Sequence, residues 1–191
     1  MRKAVIFDID GTLAKISKNE DGTPKREYSD YDKVDLDEPV IEICETILAE
    51  CLLGLQDTII FITGRKEKCF RKTLEWLANH IKYLRQESKK EYVNHYFGGD
   101  EQGFKMGQEF NIRKTDFGLY QCKGVIFMRP NDDKRPEIEL KKEIYETKIK
   151  GNYDVVMAFD DDAEVCKMYK EQGILTMQVM TKGLDFIDCD K

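Results

Sequence analysis

Apolar residues along this chain fall into two kinds of run, and the two alternate. Short, mostly apolar runs occur at 4–7 (AVIF), 58–62 (TIIFI), 124–128 (GVIFM), 153–159 (YDVVMAF) and 174–180 (ILTMQVM). Runs without polar alternation suit strands covered on both faces, as in a parallel sheet. Between them the apolar positions recur every three or four residues. Val40, Ile43, Cys44, Ile47, Leu48, Cys51, Leu52 and Leu55 form one such stripe, and Phe70, Leu74, Leu77, Ala78, Ile81 and Leu84 form another. Pro39 suits a first helical turn with Asp37 as its cap, so the first helix is expected to begin there. Further helices are expected from about Pro136 to Lys148 and from Ala163 to Gln172, the latter stopped by Gly173. Strand and helix alternating in this way predict an α/β fold, a five-stranded parallel sheet with helices on both faces.

Two stretches depart from the pattern. Residues 14–37 carry the turn signal Asp21-Gly22-Thr23-Pro24 and few apolar positions, which predicts a long flap or substrate loop. Residues 88–122 lose periodicity but hold Tyr92, Tyr96, Phe97, Phe104, Phe110, Phe117 and Tyr120. That is too aromatic for a flexible spacer, and an insertion is expected there. At 191 residues the chain suffices for one domain, 1–191, and is marginal for two.

Composition narrows the function classes. A net charge of −6 and a sequence pI of about 5.2 argue against retention on nucleic acid by the overall field, while leaving room for a local basic site. Residues 65–90 are such a local excess, with nine Lys or Arg against three Glu. By itself this reads as a solvated helix face; beside the turn at Thr63, phosphate contact stays open. The six cysteines show no C-x-x-C pair or zinc spacing and read as reduced, mostly buried thiols. Four apolar residues before Asp8 are too few for a signal-peptide core, and no apolar run is long enough to span a membrane. A soluble, cytoplasmic protein is therefore expected.

In parallel α/β sheets the ligand crevice lies outside the carboxyl ends of the strands. Asp8 and Asp10 follow the first run, Thr63 and Arg65 the second, Arg129 to Arg135 the third, and Asp160 to Asp162 the fourth. Two unit charges about 4 Å apart repel by roughly 4 kcal/mol at an effective dielectric near 20, so converging acidic clusters call for a cation. An all-oxygen set of few carboxylates, with His80 and His95 far apart in sequence, suits Mg²⁺ better than Zn²⁺.

Asp8-Ile9-Asp10-Gly11-Thr12, Thr63, Lys141 and Asp160-Asp161 resemble the four motifs of the haloacid-dehalogenase-like (HAD) phosphohydrolases, in family order. More narrowly, the chain resembles the 3′-phosphatase domain of phage-type polynucleotide kinase/phosphatase. That narrower likeness rests on Arg26, Tyr28, Asp30 and Lys33, on Thr63-Gly64-Arg65, on Arg71, Thr73 and Trp76, and on Asp133-x-Arg135-x-Glu137-x-x-x-Lys141. Glu137 stands where such relatives usually carry Asp.

The resemblance implies a HAD-like Rossmannoid fold with a small or absent cap, and a phosphoric monoester hydrolase acting on a 3′-phosphate at a DNA or RNA end. Asp8 would be the nucleophile that forms an aspartyl-phosphate. Asp10 would protonate the leaving hydroxyl and then activate water. Thr63 would hydrogen-bond the transferring group and Lys141 would neutralise charge on it. Mg²⁺ would be held by Asp8, the main-chain carbonyl of Asp10 and Asp161, with Asp160 as neighbour or water-mediated ligand. Arg26, Gly64, Arg65 and Arg135 would contact the substrate. The chain contains no G-x-x-x-x-G-K-[ST], so a kinase module is not expected within it.

Each motif has a plainer reading when taken singly. A D-x-D is common in turns, Thr63 could cap the following helix, Lys141 could be an ordinary solvated lysine, and Asp162 reads as a helix N-cap. At the level of function, a phosphatase of mononucleotides or other small phosphoesters is the first alternative, favoured if residues 88–122 close as a lid. A binding module that holds a phosphorylated end without hydrolysis is the second, although passive binding has no use for Asp10 as an acid.

Overall fold

The structure, a computed structural model, describes residues 1–27, 29–52, 57–80, 106–111 and 122–180. Its elements in chain order are β1 (Arg2–Phe7), β2 (Ala14–Lys15), β3 (Glu38–Pro39), α1 (Ile41–Leu52), β4 (Thr58–Lys66), α2 (Phe70–His80), β5 (Glu109–Asn111), β6 (Lys123–Arg129), α3 (Glu137–Ile144), β7 (Tyr153–Asp160), α4 (Ala163–Glu171) and β8 (Leu175–Gln178). β1 lies inside the sheet and pairs in parallel with β4 on one side and β7 on the other, Phe7 standing opposite both Phe61 and Phe159. β6 adds in parallel beyond β4, and β8 beyond β7.

Side chains of β1 divide between the two faces as strand geometry requires. Val5 and Phe7 pack with Ile59, Phe61, Cys44, Ile47, Leu74 and Trp76 under α1 and α2. Ala4 and Ile6 pack with Ile60, Ile62, Leu140, Val165 and Tyr169 under α3 and α4. Burial on both faces is why these strands read as unbroken apolar runs. The expected five parallel strands are all present.

A sixth strand is also present. β5 comes from the 88–122 stretch and pairs antiparallel with β6, so the sheet is six-stranded and mostly parallel, in the order β5-β6-β4-β1-β7-β8. Gly124 makes room for it, since a Cβ there would lie 2.2 Å from the Phe110 ring. Phe110 is thereby buried, which stabilises by about 1.5–3 kcal/mol, and it stacks against Phe61. The remainder of 88–122 lies outside the described residues apart from 106–111 and 122, as do Tyr28 and the expected helical stripe beyond His80.

The start of α1 differs from expectation. Pro39 pairs with Ala14 in a short antiparallel ladder, β2 with β3, and the helix begins two residues later at Ile41. Proline tolerates such an edge position because its missing N–H is not needed there. The ladder closes the loop between Lys15 and Glu38. Within that loop a 3₁₀ segment, Tyr31–Leu36, packs on α2, with Val34 fully buried and Trp76 Nε1 donating to the Asp37 carbonyl at 2.9 Å. Asp37 does not cap α1; its side chain turns inward, as described below.

Cys44, Cys69, Cys122 and Cys166 are buried free thiols, as expected; Cys189 lies outside the described residues. Among the described residues no helix is long and apolar enough to cross a membrane. The chain runs outward from β1 through β4 to β6, then returns across the sheet to β7. This reversal puts the switch-point crevice at the carboxyl ends of β4, β1 and β7.

Candidate active site

Asp8 is the first residue past β1, and its N–H donates to the Phe159 carbonyl of β7 at 2.9 Å. The chain then turns tightly, with the Leu13 and Ala14 N–H groups both donating to the Ile9 carbonyl. Gly11 takes φ +90°, and a Cβ at that position would lie 2.2 Å from Asp161 Oδ2. Only glycine combines that backbone conformation with that close approach. The D-x-D-G turn is thus pressed against the carboxylate that follows β7.

Lys141, from α3, is buried at the centre of this cluster. Its Nζ lies 2.8 Å from Asp8 Oδ1, 2.8 Å from Asp160 Oδ2 and 2.9 Å from Glu137 Oε1. The i, i+4 spacing places Glu137 and Lys141 on one helix face. Burial works against the Lys141 charge, yet Asp8, Asp160 and Glu137 hold its pKa well above the ordinary lysine value. Burial pushes the Asp8 carboxyl well above its usual range, Lys141 opposing and Asp160 adding to the shift. Burial, and next the neighbouring Asp160, push Asp161 up to about 6.

Three carboxylates therefore share one ammonium and Asp161 lies beside them, an arrangement short of positive charge. Asp8, Asp160 and Asp161 offer oxygens that all lie within 4.8 Å of one another. Asp8 Oδ2 is buried and has no hydrogen-bond partner among the described residues, which in a folded interior calls for an explanation. A hard divalent cation fits this donor set. Asp160 already accepts from Lys141 and from the Asp162 N–H at 3.1 Å, so Asp161 is the freer of the pair. Asp162 caps α4, accepting from the Glu164 and Val165 N–H groups at 2.8 and 3.0 Å, as its sequence position indicated.

Asp10 sits in a different environment. Its Oδ1 accepts from Arg65 Nη2 at 2.8 Å and from Arg26 Nη2 at 3.2 Å; its Oδ2 accepts from Arg65 Nε at 2.8 Å and from Thr63 Oγ1 at 3.4 Å. Asp37 completes the set, accepting from Arg26 Nε and Nη2 at 2.7 and 2.6 Å and from Arg65 Nη2 at 3.0 Å. Arg26 and Arg65 are 3% and 0% exposed. They form a buried quartet with two aspartates and grip Asp10, and Arg65 also lies over the Trp76 ring. Thr63, in the second half of β4, accepts from the Arg65 N–H at 3.2 Å and donates to the same Asp10 oxygen as Arg65 Nε.

The remaining expected substrate contacts lie further out. The Gly64 carbonyl accepts from Arg129 Nε at 3.2 Å. Arg135 is half exposed and paired with Asp133 at 2.7 Å and with Glu143. Asp37 was missed as a site residue because its local setting, two residues before proline and ahead of a helical stripe, matches a cap. The one available signal was electrostatic, since two arginines near a single aspartate leave one charge to be matched.

Residues 2–105 and 101–184 match the family model described as the polynucleotide kinase PNKP phosphatase domain. The chain belongs to that family. This PNKP-type phosphatase domain is 26% identical over 178 residues to the "Putative bifunctional polynucleotide kinase/RNA ligase" of Autographa californica nuclear polyhedrosis virus, covering 92% of this chain and 19% of the viral protein. It superposes with a TM-score of 0.61 and 20% identity on a chain of the "Structure of Pnkp1/Rnl/Hen1 complex", over 94% of this chain and 46% of that one. A second solved structure, that of the "Pnkp1/Rnl/Hen1 RNA repair complex", gives 0.58 and 21% over 93% and 42%. The phosphatase domain thus spans about a fifth of the curated relative and under half of the two structural ones, which it resembles in fold.

Proposed function

We propose that this chain is a Mg²⁺-dependent phosphatase that removes a 3′-phosphate from a polynucleotide end through an aspartyl-phosphate on Asp8. The observation that carries this reading is the state of the Asp8 carboxylate, with Oδ1 held by Lys141 and Oδ2 buried without a partner at the switch point of the sheet. Asp8, Asp161 and the Asp10 carbonyl would hold the metal, with Asp160 beside them. When bound, Mg²⁺ would offset the crowded carboxylates and the charge of the incoming phosphoryl group.

The chain's own residues supply the rest. Asp8 attacks phosphorus; the bond to the 3′ oxygen breaks, and Asp10 gives that oxygen a proton. Water then attacks the aspartyl-phosphate, its proton passes to Asp10, and inorganic phosphate leaves. Lys141 and the Thr63 hydroxyl balance charge on the transferring group, which is most of what phosphoryl transfer asks of a protein. Arg26 and Arg65 act in this scheme by fixing Asp10.

Asp8→Asn should abolish turnover with the far-UV circular dichroism spectrum unchanged; near-normal activity would end the aspartyl-phosphate mechanism. Substrate choice is tested by kcat/KM for phosphate release from a 3′-phosphorylated oligonucleotide, its 5′-phosphorylated counterpart and a panel of mononucleotides. Preference for the 3′ polymer supports the proposal, preference for mononucleotides replaces it with a small-phosphoester phosphatase, and no release from any substrate leaves a binding module.

A further inference from the structure

A second concavity, unused by the chemistry above, opens where β4 and β6 end. It has a volume of about 370 Å³, and its lining includes Lys66, Lys68, Arg129, Lys134 and Arg135. Among the described residues Asp133 is the one carboxylate on its wall, and Ser29 of the flap loop adds a hydroxyl. In a protein of net charge −6, five cations around a hollow that Asp133 balances only in part leave a local positive excess that favours an anion.

The walls are tied in place. Asp133 holds Arg135 at 2.7 Å and Arg129 at 3.6 Å. Lys66 Nζ donates to the Asn131 carbonyl at 2.8 Å, and the Lys68 N–H donates to Asn131 Oδ1 at 2.9 Å, joining the segment after β4 to the turn after β6. Among the described residues, Lys68 and Lys134 are exposed and form no ion pair, so their ammonium groups remain to be matched.

A chain of contacts links the wall of the hollow to the catalytic cluster. Arg129 on its wall donates to the Gly64 carbonyl. A Cβ on Gly64 would lie 2.9 Å from Glu137 Oε2, and Glu137 holds Lys141, which holds Asp8. A strand whose terminal phosphate sits at Asp8 has its next phosphates to place nearby. Phosphodiesters are anionic at every pH the protein meets, and lysines bind them without reading the base.

We propose that this concavity docks the internucleotide phosphates of the substrate strand, and that it sets the preference for a polymer over a mononucleotide. The proposal rests on the phosphatase reading above for what happens at Asp8, and on the concavity itself for what binds.

The test uses the full chain and a Lys68→Ala/Lys134→Ala variant, with Lys167→Ala/Lys170→Ala on the outer face of α4 as a control of equal charge change. For the 3′-phosphorylated oligonucleotide, kcat/KM should fall on the order of tenfold at low salt, mostly through KM. The ratio of oligonucleotide to p-nitrophenyl phosphate activity should fall with it, and the control should keep the wild-type ratio. In parallel, fluorescence anisotropy with an oligonucleotide lacking any terminal phosphate is followed across KCl concentration. The slope of log K against log salt should shrink by about 0.7 for each phosphate contact removed. An unchanged slope and affinity in the variant, equal losses on polymer and p-nitrophenyl phosphate, an equal effect of the control, or no oligonucleotide binding by the wild type would each overturn the proposal. If the wild type releases phosphate from p-nitrophenyl phosphate but from no oligonucleotide, the 3′-phosphatase reading fails while the anisotropy comparison still judges the concavity.

Discussion

Asp37→Ala is the perturbation that best separates the geometry of this site from the motif that surrounds it. Asp37 belongs to no catalytic motif and lies outside the Asp8 cluster, yet it takes three of the hydrogen bonds that fix Arg26 and Arg65. The quartet balances two guanidinium groups against two carboxylates in a region where Arg65 and Arg26 have almost no contact with water. Removing Asp37 takes from both cations a carboxylate that they share with Asp10. Truncating one partner of a buried ion pair costs about 3–5 kcal/mol, because the charge left behind has neither water nor partner. That cost is not the net worth of the bridge. Burial pushes the Asp37 carboxyl above its usual range even though both arginines pull it back, so placing it there is itself expensive.

For a domain of this size each kcal/mol shifts Tm by about 2–4 °C, so Asp37→Ala should melt roughly 6–20 °C below the wild type. Activity should fall as well, because Arg26 and Arg65 aim the Asp10 carboxylate; a displacement near 1 Å costs on the order of a hundredfold. The assay is kcat and KM on a 3′-phosphorylated oligonucleotide, well below the variant's melting temperature, beside thermal and urea unfolding. Asp37→Asn, which keeps an acceptor for one arginine, should fall between wild type and Asp37→Ala in both measurements. An Asp37→Ala protein with wild-type Tm and wild-type kcat would refute the quartet as the support of Asp10. A large loss of Tm with unchanged kcat would leave it a structural device alone.

Lys141→Met keeps the length of the side chain but removes the charge shared by Asp8, Asp160 and Glu137; kcat should drop by about 10²–10³, and a loss of under tenfold, read by steady-state phosphate release, would contradict the role given to Lys141. Gly11→Ala should raise the Mg²⁺ concentration needed for half-maximal rate, since its Cβ enters the space of Asp161. Gly22→Ala has a similar φ but nothing within 4 Å, so it should show only the backbone cost of about 1–3 kcal/mol; a Mg²⁺ titration and a melting curve on both variants separate clash from strain. Burial pushes the Cys44 thiol up to about 12, above its unfolded value of about 8.5. The folded state therefore favours the thiol, and the stability this confers is complete below about 8.5 and is lost as pH rises toward the folded value. The urea midpoint should fall more steeply between pH 8 and 10.5 in wild type than in Cys44→Ala, and parallel slopes would count against this.

The parts of the fold that could be read from the sequence are those whose cause is local. Val5 and Phe7 face one layer of helices and Ala4 and Ile6 the other, so the unbroken run from Ala4 to Phe7 had one natural meaning. Asp162 could be assigned as a cap because its partners are two and three residues away. β5 could not be found, because three residues carry no period and its position depends on the notch left by Gly124. Asp37 was misplaced for a related reason. Its cap-like setting is local, whereas the charges that own it come from Arg26 and Arg65, 11 and 28 residues away. The same distance explains why two arginines that read as substrate contacts are buried inside the protein.

Asp8 and Asp10 show what such distant partners decide. They are separated by one residue and leave the same strand, and nothing in the D-x-D itself distinguishes them. Lys141, 133 residues on, takes Asp8 into a cluster with more carboxylates than cations, and leaves one of its oxygens without a partner among the described residues. Arg65, 55 residues on, takes Asp10 into a quartet in which both its oxygens are occupied and its orientation is fixed. A carboxylate that must reach phosphorus needs a free oxygen and help with excess charge. A carboxylate that must meet a departing oxygen needs a fixed direction, and to pass a proton one Asp10 oxygen must turn from its arginine. Distinct environments for two like acids are how one site assigns two tasks, and here the assignment is made by cations delivered from α3 and from the end of β4.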